Sequence, residues 1–284
     1  MEPTFQTREP AWLVVGRAVL IGLAITLVGT LPRNLLFAAN LRFQAGVPWA
    51  VPVVAVYLGF FWWYLNGGGT DATTAAERRA LLRAYRVPAR VWVWALAAGG
   101  AGIVALVFGL QIANRFVAFP AQSLPDLSHV PPGTVLGLLV AAAPVAGVIE
   151  EAAFRGYMQG PIERRCGLPV AILVTGTMFA LAHLDFTPVL WPYYVAVAAL
   201  YGTITHLAGS ILPAVVLHTG GNLYSNLDLW FHGRAEWQAG MDPSSWTAGW
   251  PGLVLAFVVA TAVAAGGFVL LARVTERRET PRQD

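Results

Sequence analysis

The chain has 284 residues, 57% of them hydrophobic and only 12% charged, with a mean hydropathy of +0.60. A soluble domain carries about a quarter charged residues, so this composition excludes an ordinary soluble fold and points to a polytopic membrane protein. The net charge of +3 rests on arginine alone, since the chain has no lysine, and no basic run is interleaved with aromatics, so it carries no nucleic-acid signature.

Apolar runs of about 20 residues, long enough to cross roughly 30 Å of hydrocarbon as helix, lie at 11–31, 47–65, 92–112, 133–158, 169–185, 192–208, 211–227 and 252–272. The predicted fold is therefore all-α, a polytopic membrane protein with about eight transmembrane helices. The first run is interrupted by Arg17 and comes after the acid-balanced "MEPTFQTREP". With no small-x-small cleavage site close behind it, it reads as a retained helix and not as a removed signal peptide. After the second run comes the one sizeable polar insert, a cytoplasmic linker at 66–91. Its "TTAAERRALLRAYRV" is expected to form a short amphipathic helix on the inner surface, with a solvated connector as the alternative. Tryptophans in "FFWWYL" and "VWVWAL" stand near span ends, as an interfacial belt requires, and the lone Cys166, in an inner loop, excludes an internal disulfide.

Arginine placement orients the chain. With the N-terminus inside, the inner segments hold twelve: Arg8, Arg78, Arg79, Arg83, Arg86, Arg90, Arg164, Arg165, Arg273, Arg277, Arg278 and Arg282. The outer loops hold only four, Arg33, Arg42, Arg115 and Arg234. The positive-inside bias then supports an even helix count and two cytoplasmic termini.

The fourth run ends in "GVIEEAAFRGYMQG", which puts two carboxylates and an arginine where hydrocarbon is expected. Charged groups at membrane depth cost at least roughly 2.5 to 3.5 kcal/mol and so face cavities or pair with one another. Glu151 and Arg155, at i and i+4, can pair across one turn. Glu150, about 100° around the helix, is left to face a cavity; the plain alternative is a helix end emerging into the headgroups. The fifth run carries His183 in "TMFALAHLDF", and the seventh carries His218 with Asn222 at i+4 in "LPAVVLHTGGNLYSN". His129 and His232 fall in outer loops and His206 near the inner end of the sixth run, all expected at surfaces. At about 1.5 Å per residue, Glu150, His183 and His218 lie roughly 15, 22 and 12 Å from their inner helix ends. These depths predict a polar cavity among the fourth, fifth and seventh spans, opening toward the cytoplasm. The chain divides into N-terminal helices (1–132), a core (133–227) and an outer loop, last helix and tail (228–284).

"EEAAFRG" at 150–156, "FALAH" at 179–183 and "HTGGN" at 218–222 fit E-E-x-x-x-R, F-x-x-x-H and H-x-x-x-N, in order and on separate spans. In this the chain resembles the CPBP intramembrane proteases, the family of the type II CAAX prenyl endopeptidase. The resemblance implies a conical intramembrane catalytic cavity and peptide-bond hydrolysis, with a peptide or protein substrate met at the lipid bilayer. Glu150 would activate water, His183 would position it, and His218 with Asn222 would stabilise the oxyanion. Glu151 and Arg155 would support them, Phe179 would pack, and Gly220 and Gly221 would allow close approach. Two catalytic types are compatible with these residues. Glu150, His183 and His218 could hold a zinc with water in the fourth position, but zinc is not required, and no H-E-x-x-H is present. Glutamate-activated water is preferred, because a metal-bound Glu150 would leave Glu151 as base although it is the better partner for Arg155. The alternative from another class is a transporter or membrane scaffold using the same groups, against which stands the lack of any inverted repeat. The missing lysine and compact loops suggest a bacterial plasma membrane; such a cell need not contain a prenylated CAAX protein, so peptide processing and self-protection against antimicrobial peptides fit as well as CAAX-type processing.

Overall fold

The computed structural model describes residues 9–43, 46–69, 71–117, 119, 126–183, 190–234 and 249–279. Arg8, Arg282 and both chain ends lie outside the described residues, as do residues 184–185 of the fifth run and the side chains of Arg277 and Arg278. Among the described residues all regular structure is helical. In chain order it comprises α1 (Ala11–Phe43), α2 (Ala50–Leu65), α3 (Ala72–Leu82), α4 (Ala89–Ala113) and α5 (Pro132–Glu150). A π-helix (Glu151–Met158) continues α5 into α6 (Gln159–Cys166), and α7 (Leu168–Ala182), α8 (Trp191–Ala208), α9 (Leu212–His232) and α10 (Gly249–Glu279) complete the order. Each of the eight apolar runs is helical. Helix is what an apolar segment must adopt where no water is present to satisfy backbone polar groups.

Among the described residues, four helices are long and apolar enough to cross a membrane: α1, α4, the continuous Pro132–Cys166 and α10. α2 and α7 are apolar but shorter. α8 and α9 are diluted by tyrosines, threonines, histidines and asparagines, of which Tyr194, Tyr201, Thr205 and His218 are turned into the interior and buried. Exposed apolar side chains such as Leu20, Leu27, Phe60 and Val258 form the outward surface, the pattern of a molecule solvated by hydrocarbon.

Two elements differ from expectation. α1 does not stop near residue 31 but runs through Pro32 to Phe43, so Arg33 and Arg42 are helical and not loop residues. Apolar side chains recur beyond the proline, and the helix end is anchored: buried Asn40 donates to the Val47 carbonyl at 2.9 Å and accepts from Ala50 N at 2.8 Å. α3 forms over 72–82, capped by Asp71 accepting from Thr73 N at 3.1 Å. Its apolar face, however, is covered by protein and not by headgroups. Leu82 is fully buried, and Arg78 is buried with its guanidinium donating to the Tyr64 and Gly68 carbonyls at 3.0 and 2.7 Å. The helix ends at Arg83 in a left-handed conformation, φ 55°, and the α3 backbone lies on Gly156 of the π-helix, where an added Cβ would come within 3.2 Å of the Leu81 and Leu82 carbonyls.

Without a hydrophobic drive between helices in lipid, close packing at small residues holds them together. Gly147 of α5 faces Thr219 of α9, Gly22 and Gly29 of α1 face Met158 and Ile149, Gly99 of α4 faces Leu217, and Gly267 of α10 faces Ala98. These contacts set the relative heights of the helices. Gly99 lies ten residues into α4, so the neighbouring Leu217 and His218 sit about 15 Å from the inner end of α4.

Candidate active site

The π-helix begins at the second carboxylate. An i→i+5 stretch inside an α-helix shifts the register of the residues after it and is frequent at functional sites. Here all eight of its residues are buried, and at its start two adjacent carboxylates converge on one imidazole. Glu151 Oε1 lies 2.8 Å from His218 Nδ1, while Glu150 Oε2 lies 3.6 Å from Nε2 of the same ring. The two acids differ in surroundings. Glu151 has no exposure and pairs with Arg155 Nη1 at 3.1 Å, whereas the Glu150 side chain keeps 21% of its surface and lines a cavity.

Aromatic rings fix the rest. Tyr201 stacks on His218 at 5.2 Å and 19°. Phe179 meets His183 at 4.6 Å, His218 at 6.2 Å and Phe154 at 5.2 Å. The Arg155 guanidinium stands 5.0 Å from the Phe179 ring and 5.3 Å from that of Tyr201, a desolvated cation–π arrangement worth about 2 kcal/mol. His183 ends α7, its ring held 4.6 Å from Tyr194 and its Nδ1 2.8 Å from the Phe179 carbonyl. That contact makes Nδ1 the protonated nitrogen and leaves the Nε2 lone pair available.

The cavity has a volume of about 840 Å³ and is walled by α1, α4, α5, α7, α8 and α9. Glu150, Phe179, His183, His218 and Asn222 all line it; Glu151 and Arg155 lie behind it. Several lining residues escape sequence reasoning. Arg33 reaches the cavity only because α1 continues past Pro32. Tyr194, Val197 and Tyr201 line it from α8; their i, i+3, i+7 spacing marks one helical face and was a legible signal. Gln111 of α4 and Asn226 of α9, which donates to the Leu139 carbonyl at 2.8 Å, complete the polar wall.

The other histidines lie elsewhere. His206 is largely exposed and bonds Glu163 at 2.6 Å, and His232 is the last residue of α9, 2.7 Å from Asp228. For zinc, Glu150 and the Nε2 atoms of His183 and His218 are suitable donors by type. Their positions are not those of a ligand set: among the described residues no group of three or more His, Cys, Asp and Glu side chains is close enough to hold a metal ion.

No curated protein and no solved structure matches the chain. The family model described as type II CAAX prenyl endopeptidase Rce1-like matches residues 131–224, about a third of the chain, and spans α5 through most of α9 with every residue of the three motifs. No finding favours a transporter or scaffold. Over residues 131–224 the chain is thus similar to the Rce1-like, CPBP-type family of membrane endopeptidases.

Proposed function

We propose that the chain is an intramembrane endopeptidase in which Glu150 activates the attacking water. The observation that carries this reading is the asymmetry of the two carboxylates on His218: Glu151 is sealed, paired and bonded to Nδ1, and Glu150 is open to the cavity. Only Glu150 can meet water and substrate together. Its carboxylate takes a proton from water as the oxygen attacks the scissile carbonyl, and it returns that proton to the departing amine. The His183 Nε2 lone pair accepts from the same water and orients it. The negative charge that develops on the carbonyl oxygen is met by Asn222 Nδ2 and by His218 Nε2. To donate, His218 must carry protons on both nitrogens, and Glu151 holds the one on Nδ1. Such donors are worth roughly 2.7 to 4 kcal/mol each at comparable sites. Phe179 and Tyr201 keep both imidazoles in place and water away from Arg155.

The match to type II CAAX prenyl endopeptidases supports cleavage near a peptide C-terminus, and a substrate presented in or beside the bilayer. In detergent or proteoliposomes, Glu150→Gln should lower cleavage about 10²- to 10⁴-fold, the share of a general base, while a strong chelator leaves the wild type active. Undiminished cleavage by Glu150→Gln would reject the assignment, and loss of activity with chelator restored by zinc would reject the metal-free route.

A further inference from the structure

We infer that substrate enters the cavity from the side opposite the arginine-rich helix ends, so that the chain cleaves peptide segments presented at the extracytoplasmic face of the membrane. The inference rests on the proteolytic reading of the cavity and names the substrate class that its geometry admits.

Two independent observations carry it. The first is where the lining residues stand along their helices. On α4 they run from Gly100 to Gln111, two residues short of the end at Ala113; on α9 they reach Leu229, three short of His232. On α7 they are Phe179 and His183, at its C-terminal end, and on α8 they begin at Tyr193 beside the N-terminus. α1 contributes Arg33, in the last third of its length. All these ends belong to one side of the bundle, the side away from α3, Arg90 and Arg165. With His218 about 15 Å into the molecule by the Gly99–Leu217 contact, the cavity has its floor near mid-membrane and its walls extend outward.

The second observation is what lies beneath that floor. Leu82, Glu151, Arg155, Gln159, Ile204 and Ile211 are fully buried. α3 and the segment after it close the inner side. Arg83 Nη2 donates to the Arg155 carbonyl at 2.6 Å, Ile211 N donates to the Arg83 carbonyl at 3.1 Å, and Ser210 Oγ donates to the Tyr85 carbonyl at 2.7 Å. Gln159 bridges the Gly202 carbonyl and Glu163, each at 3.0 Å, and Glu163 also holds Arg83 at 3.4 Å and His206 at 2.6 Å. Reaching Glu150 from this side would break a continuous polar and apolar layer. Among the described side chains, eight arginines lie toward this side (Arg78, Arg79, Arg83, Arg86, Arg90, Arg164, Arg165 and Arg273) and three toward the other (Arg42, Arg115 and Arg234), which assigns it to the cytoplasm. The sequence alone put the mouth at the cytoplasmic face, since depths were measured only from inner helix ends. From the cavity walls the opposite is inferred. A prenylated cytosolic tail would then meet the sealed side; a membrane-inserted or exported peptide, with its cleavable segment in the outer leaflet, meets the open one.

Sided cysteine labelling tests this. In a Cys166→Ser background, Ala146→Cys places a thiol in the cavity wall one turn from Glu150, and Leu229→Cys places one near its rim. The otherwise unchanged chain, with its native Cys166 at the end of α6, marks the inner side. In sealed spheroplasts, a membrane-impermeant maleimide should label Leu229→Cys and, more slowly, Ala146→Cys, while Cys166 reacts only after permeabilisation. If Ala146→Cys does not fold, Ala142→Cys samples the same wall one turn further out. Cavity thiols that react only after permeabilisation would overturn the inference. Labelling needs no turnover, so the side of entry is decided separately from proteolysis, which stands or falls with Glu150→Gln.

Discussion

Glu150 and Glu151 are neighbours in sequence and unlike in circumstance, and they should fail differently when changed. Glu151 neutralises Arg155 at a site without solvent, and removing one member of a buried pair leaves the other charged and uncompensated, at about 3 to 5 kcal/mol. Glu151→Gln should therefore lower folded yield and thermal stability in detergent well below the Glu150→Gln level, because Glu150 already meets the cavity. Equal, normal yields for the two variants, read by size-exclusion chromatography, would show that the Glu151–Arg155 contact carries no such cost. The i, i+4 spacing of this pair was legible in the sequence, as was the His218–Asn222 spacing. Two carboxylates on one imidazole were not, because that juxtaposition depends on how α9 packs beside the end of α5; nor was the π-helix, since no residue type within "EEAAFRGYM" announces an extra residue per turn.

At the scale of the helix, interface glycines are not equivalent. A Cβ on Gly99 would overlap the methyl ends of Leu217 and come within 2.9 Å of that of Ile204, atoms that can swing away. On Gly147 it would overlap Thr219 Oγ1 and also meet Thr219 N and Cα at 3.0 and 3.3 Å. Backbone cannot rotate out of the way, and α5 and α9 would have to separate beside His218. Gly147→Ala should thus cost about 1 to 3 kcal/mol, the usual range for overpacking, and reduce cleavage, while Gly99→Ala costs less; a thermal-shift series in one detergent checks the order. The reverse order would mean that Thr219 repacks freely. Apolar periodicity revealed each of these helices but not which of their small residues touch, since contact depends on relative height and rotation. The same ignorance hid Arg33: "LPRN" looks like a helix stop, and only the packing of α1 against α5 and the tie from Asn40 to α2 show why the helix continues.

For the molecule as a whole, the arginine distribution makes a statement that any membrane orientation must satisfy. A reporter active only outside the cytoplasm, fused after Asp284, should stay silent, and its cytoplasmic counterpart should be active; the opposite result would invert the inner and outer sides throughout. The eight apolar runs were visible because the bilayer demands long uninterrupted hydrophobicity, and each is a helix here. Four of them meet the length and composition for crossing unaided. The others are short or carry the polar groups of the cavity, a division that hydropathy alone does not separate from a soluble core helix. The linker at 66–91 was recognised by its polarity, yet its place under the π-helix was not, because the residues it buries, Arg78 and Leu82 among them, look from sequence like headgroup contacts.

The sealed layer beneath Glu150 also has an electrical consequence. A cavity that is water-filled and reaches about half the hydrocarbon depth, as proposed, would be conductive, so a transmembrane potential would not fall evenly over roughly 30 Å but mostly across the remaining septum of about 15 Å. The field there would be about doubled. Glu150 and His218, on its upper surface, would sit at the foot of that drop, where moving one elementary charge across 100 mV is worth about 2.3 kcal/mol. On the proposed function, Leu82, Ile204 and Ile211 would act as insulation, letting a water-filled chamber stand inside the membrane without discharging the gradient across it.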